Sequence, residues 1–178
     1  MVQIYSRPQD DNRAFGVRHS IIFDPIPQAR HRMVFRGTRV HAYDPNVRDK
    51  MRFHSVVKDY LCFKYNTSDE NFPLTTSCVN VDVSYFISRP DYHFVGPDRT
   101  LGIDPRYENA MPLHEGNIDN YDKFFLDAID QIFFSNDRNV VRMVSEKFYT
   151  REDSGRVVFT IRRRETNVVN LVDDEDEN

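Results

Sequence analysis

The chain has 178 residues, 39% of them hydrophobic, with 14 Phe and 9 Tyr but no Trp, and its 24 Lys and Arg against 28 Asp and Glu give a formal net charge of −4. That length suits one domain with a core of its own, and the lack of any long apolar run excludes a membrane-spanning helix. No signal-peptide h-region is read at the N-terminus, and Cys62 and Cys78 have no metal-type spacing, so they read as two reduced thiols of an intracellular protein.

The charge is unevenly spread. Asp173, Asp174, Glu175, Asp176 and Glu177 hold five of the 28 acids, which leaves residues 1–172 with 24 basic and 23 acidic groups, a balance of +1. Between Arg18 and Lys64 there are ten Lys or Arg against four Asp, a local balance of +6, with four of the six histidines. A basic patch on a near-neutral body is the footprint of a protein that binds a phosphate backbone. Residues 173–178 read as a disordered, solvating acidic tail; competition with DNA for the arginines is a sharper role for the same charges.

In chain order, residues 1–16 are polar and irregular, and 20–24 read as a short strand. Residues 46–64 read as a helix with Val47, Met51, Val56, Val57, Tyr60 and Leu61 turned inward. Residues 79–88 alternate Val79, Val81, Val83, Tyr85 and Ile87 on one face, the pattern of a half-covered strand. The stretch 89–116 is rich in Pro, Gly, Asp and His and reads as a long loop, a feature that often carries function. A helix is expected from Ile118 to about Ile132, then strands over 140–149 and 156–164 with Asp153-Ser154-Gly155 as the turn between them. No internal repeat and no linker interrupts residues 1–172, so the expected fold is a single α+β domain with a mixed β-sheet and two main helices.

Two segments carry chemistry. The first is Asn117-Ile118-Asp119-Asn120-Tyr121-Asp122-Lys123, which puts a carboxylate, an amide and a lysine at the start of the second helix, with a second carboxylate in Asn136-Asp137 in the turn after it. Converging oxygen donors can hold a hard divalent cation, and a lysine one turn after Asp119 can stabilise an anion beside it. The plain alternative is a capped helix start with an Asp119–Lys123 surface pair, worth a few tenths of a kcal/mol. The second segment is Pro25-Ile26-Pro27-Gln28-Ala29-Arg30-His31-Arg32, running into Phe35-Arg36-Gly37-Thr38-Arg39 and Ala42-Tyr43-Asp44-Pro45. Its prolines hold the chain extended, and Arg30, Arg32, Arg36 and Arg39 form a guanidinium array suited to phosphate.

Together these segments resemble the RusA family of Holliday-junction resolvases. The first resembles its core motif, roughly Asp-x-Asp-Asn-x-x-Lys, then Asp-Ala, then Asp-Asp; the second resembles its opening Pro-x-Pro, Arg-x-Arg, glycine turn and Tyr/Pro pair. The resemblance makes Asp119 the second motif aspartate, Asn120 the asparagine after it and Lys123 the catalytic lysine. Asp127-Ala128 becomes the helical pair, and Asp137 the final metal-binding aspartate. Two positions depart from the pattern: Asn117 stands where the first aspartate is expected, and Asn136 where the closing pair begins. An amide at 117 still offers an oxygen but removes one negative charge from the site. Natural tolerance, a degenerate homologue and an engineered Asp→Asn replacement that traps substrate all fit it.

What the resemblance implies is a dimeric, structure-selective endodeoxyribonuclease that resolves four-way DNA junctions by metal-dependent hydrolysis. Asn117, Asp119 and Asp137 would hold Mg²⁺, with Mn²⁺ as an alternative, Lys123 would stabilise the transition state, and Arg30, Arg32, Arg36 and Arg39 would bind DNA. A setting in the cytoplasm or nucleoid and a phage origin go with it. Against this stand a RusA-fold DNA-binding protein that has lost turnover through Asn117, and an interaction protein with only a capped helix. His93, His114 or Glu115 could add a ligand or replace the missing charge, and Arg162-Arg163-Arg164 could touch DNA. Ile129, Ile132, Phe133 and Phe134 read equally as a dimer surface or as core.

Overall fold

The computed structural model describes residues 12–164 apart from 97, 98 and 100, and leaves out the side chains of Phe35, Arg36 and Arg39. Strand β1 spans Arg18–Ile22, β2 Arg32–Arg36, β3 Arg39–Tyr43, β4 Val79–Ile87, β5 Val140–Tyr149 and β6 Arg156–Arg163; helix α1 spans Val47–Tyr65 and α2 Ile118–Ile129. The main sheet has the order β1-β6-β4-β5, with β6 antiparallel to both of its neighbours and β4 parallel to β5. A parallel pair needs a crossover between its strands, and α2 lies in that crossover. The fold is therefore α+β with a mixed sheet and two helices, as the sequence led us to expect. The acidic segment 173–178 and residues 1–11 lie outside the described residues.

The alternation along β4 does its expected work: Val79, Val81, Val83, Tyr85 and Ile87 are all buried. α2 packs against this face of the sheet, where Phe125 meets Tyr85 and Phe159, and α1 packs on α2 through Phe53 against Phe124 and Phe125. The inward face of α1 agrees with the expected one at Val57 and Leu61 and differs elsewhere. Phe53, Val57 and Leu61, at i, i+4 and i+8, form the buried stripe, while Met51 is 66% exposed and Val47 and Val56 lie on the outer surface.

α2 stops at Ile129, three residues before the expected end. Asp130 leaves the helical region with ψ 144°, and Gln131 then turns with φ 61°. This bend drives Ile132, Phe133 and Phe134 into the core, where they and Ile129 are fully buried. These four residues are core and present no surface for a partner. β2 and β3 form a separate two-stranded ribbon around Gly37-Thr38, an element the sequence reading had taken only as an arginine cluster with a glycine turn. Met33 and Val40 share one of its faces and are 73% and 53% exposed.

Candidate functional site

The start of α2 is built on the edge strand β5. Asp122, one turn into the helix, accepts hydrogen bonds from Tyr85 Oη at 2.9 Å and Ser145 Oγ at 2.8 Å. Lys147, two residues further along β5, donates to Gly116 O at 2.5 Å. Gly116 has φ +99°, and a Cβ there would stand 3.2 Å from Pro27 Cβ, so the Pro25–Pro27 turn sits directly against the residue before Asn117.

Three side chains that the motif singles out at the helix start, Asn117, Asp119 and Lys123, have no partner among the described residues. Asn117 occupies the N-cap position of α2 but makes no side-chain cap, and Asp119 and Lys123 are exposed and form no ion pair among the described residues. Neither the capping reading nor the surface-pair reading describes what these groups do. Asp122 differs: burial raises its carboxyl above the ordinary range, against the bonds from Ser145 and Tyr85 that lower it, and the Asp119 charge adds to the rise.

The basic segment lands on the same turn. Gln28 N donates to Asn120 O at 2.8 Å, and Gln28 Nε2 donates to Asp44 Oδ1 at 3.0 Å. Ala29 N donates to Asn46 Oδ1 at 2.7 Å. Lys50 closes the arrangement, with Nζ at 2.7 Å from Asp44 and 2.5 Å from Asp127. Asp127 of the Asp-Ala pair therefore ties α1 to α2. Arg30 and Arg32 emerge just beyond this junction, both exposed, and the side chains of Arg36 and Arg39 lie outside the described residues.

Asp137 is elsewhere. It opens a short helical turn, Asp137–Asn139, held by Asn139 Nδ2 donating to Thr76 O at 2.8 Å, and β5 begins at Val140. Gln131 N donates to Phe134 O at 3.0 Å and Ser135 Oγ to Asn139 Oδ1 at 3.2 Å, so the chain turns tightly after α2 and Asp137 stands near the C-terminal end of that helix. Between Asp119 and Asp130 the helix rises about 16 Å. Along β5 the seven steps from Val140 to Lys147 cover about 23 Å. Both rulers place Asp119 and Asp137 at opposite ends of the helix, where one protomer cannot bring them to one cation with ligand distances of about 2.0–2.6 Å. Among the described residues no three His, Cys, Asp or Glu side chains form a group that could hold a metal ion.

The long segment 89–116 is folded onto the ends of β4 and β5. Arg89, buried, donates to Thr150 O, Tyr107 O and Glu108 O at 3.1, 2.7 and 3.0 Å. His93 is buried and stacked 4.5 Å from Tyr107, its imidazole pushed down by burial and then by Arg89. Glu115 accepts Tyr149 Oη at 3.3 Å through its carboxylate, and its backbone carbonyl accepts Tyr121 Oη. Burial pushes the phenols of Tyr121 and Tyr149 up to about 12, with the Glu115 charge adding to the rise. His114 is exposed. On the sheet face opposite the helices, Arg162 pairs with Asp82, as does Arg142 at 2.8 Å.

The family model described as endodeoxyribonuclease RusA matches residues 23–162, most of the chain. The chain belongs to the RusA endodeoxyribonuclease family. It is also similar to YqaN of Bacillus subtilis (strain 168), a protein described as uncharacterized, with 25% identity over 138 residues that cover 76% of this chain and 89% of the relative.

At family level this makes the chain a Holliday junction resolvase-type nuclease, a class that binds DNA junctions and generally depends on a divalent metal. Its two departures from the RusA motif differ in kind. Asn136 has local work: its Oδ1 accepts Arg138 N at 3.0 Å, and its own N–H donates to Asn139 Oδ1 at 3.1 Å, a reciprocal cap. Asn117 has no such bond, so its amide remains available. Asp122 occupies a position that the RusA motif leaves open, and Lys147 adjoins that motif only in space. Lys147 carries no motif signal, and only the β5 register, Tyr85 opposite Lys147 and Val83 opposite Ser145, brings it to the helix start. Among the described residues no helix is long and apolar enough to cross a membrane.

Proposed function

We propose that the chain is a structure-selective endodeoxyribonuclease that cleaves four-way DNA junctions as a homodimer. The observation that carries this reading is the contrast at the start of α2. Asn117, Asp119 and Lys123 have no partner there among the described residues, while the turn that holds them is bonded on one side to β5 and on the other to the arginine-bearing segment. Oxygen donors at 117, 119 and 137 suit a hard cation of the Mg²⁺ type, with Mn²⁺ more tolerant of the mixed amide and carboxylate set. Because Asp137 lies at the far end of α2, a complete donor set needs Asn117 and Asp119 of one protomer with Asp137 of a second copy. A two-fold pair then makes two identical sites, which suits the paired strands of a junction.

In this reading Arg30 and Arg32 hold the phosphate backbone beside the site, and Lys123 faces the charge that develops at the reacting phosphate. A bound divalent ion supplies activation of water and neutralisation of phosphate charge. Asp122 keeps the first turn of α2 on β5. The competing reading, a RusA-fold DNA-binding protein without turnover, rests on Asn117.

A metal titration of cleavage on a synthetic four-way junction, run on the chain and on Asn117→Asp, separates the two. We expect both forms to cleave, with the Asn117→Asp midpoint shifted to about tenfold lower metal, as one added carboxylate ligand implies. Junction binding without cleavage by the unaltered chain at any Mg²⁺ or Mn²⁺ concentration, with cleavage restored in Asn117→Asp, supports the impaired reading. Equal activity of both forms at every concentration means that position 117 is not a ligand.

A further inference from the structure

Lys147 differs from the other half-buried lysines among the described residues, Lys50 and Lys58, of which Lys58 pairs with Asp69 at 2.9 Å. Lys50 has a side-chain exposure of 14% and holds two carboxylates, Asp44 and Asp127. Lys147 is also half-buried, on the helix-facing side of β5, yet its bonding partner is a backbone carbonyl, Gly116 O at 2.5 Å, and among the described residues no carboxylate pairs with it. An ammonium has three N–H donors, and one carbonyl uses one of them. A carbonyl dipole also leaves the positive charge uncancelled where water is partly excluded. The missing complement is an anion. The residue Lys147 is fastened to immediately precedes Asn117, and the free Asp119 and Lys123 follow within two turns.

We propose that Lys147 binds a DNA backbone phosphate beside the start of α2, as a cation additional to Lys123 and to the arginines of the N-terminal segment. The inference rests on the nuclease reading above. The ammonium gives one N–H to Gly116 O, which fixes its place, and offers its remaining donors to non-bridging phosphate oxygens. Its position on an edge strand leaves it on the rim of the sheet, where a duplex arm can approach.

The test is binding of a synthetic four-way junction without metal over a salt series, for the unaltered chain and for Lys147→Met, Lys147→Gln and Lys147→Arg. Each phosphate contact contributes about 0.9 to the slope of log affinity against log salt. Lys147→Met and Lys147→Gln should each lower that slope by about this amount and weaken binding several-fold, while Lys147→Arg keeps the slope. Lys147→Gln removes the charge but keeps a polar side chain with an N–H donor, so it stays informative where Lys147→Met does not fold. An unchanged slope in Lys147→Gln overturns the proposal even when cleavage falls, because the lysine is then only a strut for the Gly116–Asn117 peptide. Failure of the unaltered chain to bind junction DNA sinks the nuclease reading and this inference together. Normal binding with an unchanged slope in the variant sinks this inference alone.

Discussion

The two ends of α2 carry the same kinds of side chain and use them in opposite ways. Towards the C-terminal end, Asp127 is matched by Lys50, which also holds Asp44, so the charges join α1, α2 and the base of the β2–β3 ribbon. At the N-terminal end, among the described residues, Asn117, Asp119 and Lys123 face solvent without partners, and Lys147 has only a carbonyl. Residue type alone does not separate structure from chemistry in this helix. What separates them is whether a neighbouring element delivers the opposite charge. α1 does so beside Asp127, and β5 withholds it beside Asp119.

Breaking the paired end should cost the most stability. Lys50→Met leaves the carboxylates of Asp44 and Asp127 facing each other without their cation, and we expect a loss of about 1–3 kcal/mol, scaled down from a fully buried pair because Asp127 is partly exposed. Urea unfolding at pH 7 measures it; a change below about 0.5 kcal/mol, the ordinary scatter of surface substitutions, would erase the contrast between the ends. The pH window follows from the two shifts. Burial alone would raise the Asp44 carboxyl, but bonds from Lys50, Asn46 and Gln28 hold it below its ordinary 3.8, so its contribution is present above that value and lost as pH falls through the lower folded one. Lys50, whose burial is outweighed by Asp127 and Asp44, is raised above 10.5, so its contribution is present below that value and lost as pH rises through the higher one.

A smaller effect of opposite sign sharpens the free end. Asp122 is an acid raised by burial, so ionising it costs folding free energy as pH climbs from 3.8 through its higher folded value. Asp122→Asn removes that cost and keeps oxygen and nitrogen in place for Tyr85 and Ser145. Melting temperature should rise by a few degrees at pH 7, for a gain of about 0.5–1 kcal/mol, and not at pH 3. A lower melting temperature at pH 7 would show that the ionised carboxylate is needed to hold the first turn on β5.

Much of the fold was legible because strands β4, β5 and β6 and both helices carry their period openly. The inward face of α1 was legible at Val57 and Leu61, but the apolar Val47, Met51 and Val56 lie on its outer side and Phe53 starts the buried stripe. The β2–β3 ribbon was hidden by its arginines, which break the apolar alternation expected of a strand. In the site, the motif positions at the start of α2 were legible in the sequence, while the absence of an Asp119–Lys123 pair among the described residues was not. Nor was their distance from Asp137. Proximity along the chain suggested convergence, whereas a helix of this length carries its two ends about 16 Å apart. Lys147 was out of reach for another reason: strand register, not spacing, sets it beside Gly116.

The central claim is a junction-cleaving site divided between the two ends of α2 and completed by a second copy. Mixing variants tests it most directly. Asp119→Asn and Asp137→Asn are prepared separately, then co-refolded or co-expressed, and metal-dependent nicking of a four-way junction is measured for each alone and for the mixture. Each variant alone should bind the junction and fall at least about 100-fold in cleavage, as expected when a metal ligand is lost. In a mixed pair one site keeps Asp119 from one protomer and Asp137 from its partner, so the mixture should recover nicking at a sizeable fraction of the unaltered rate. Full cleavage by either variant alone would contradict the site. No recovery in a mixture shown to contain mixed dimers, beside an active unaltered chain, would contradict its division between two copies.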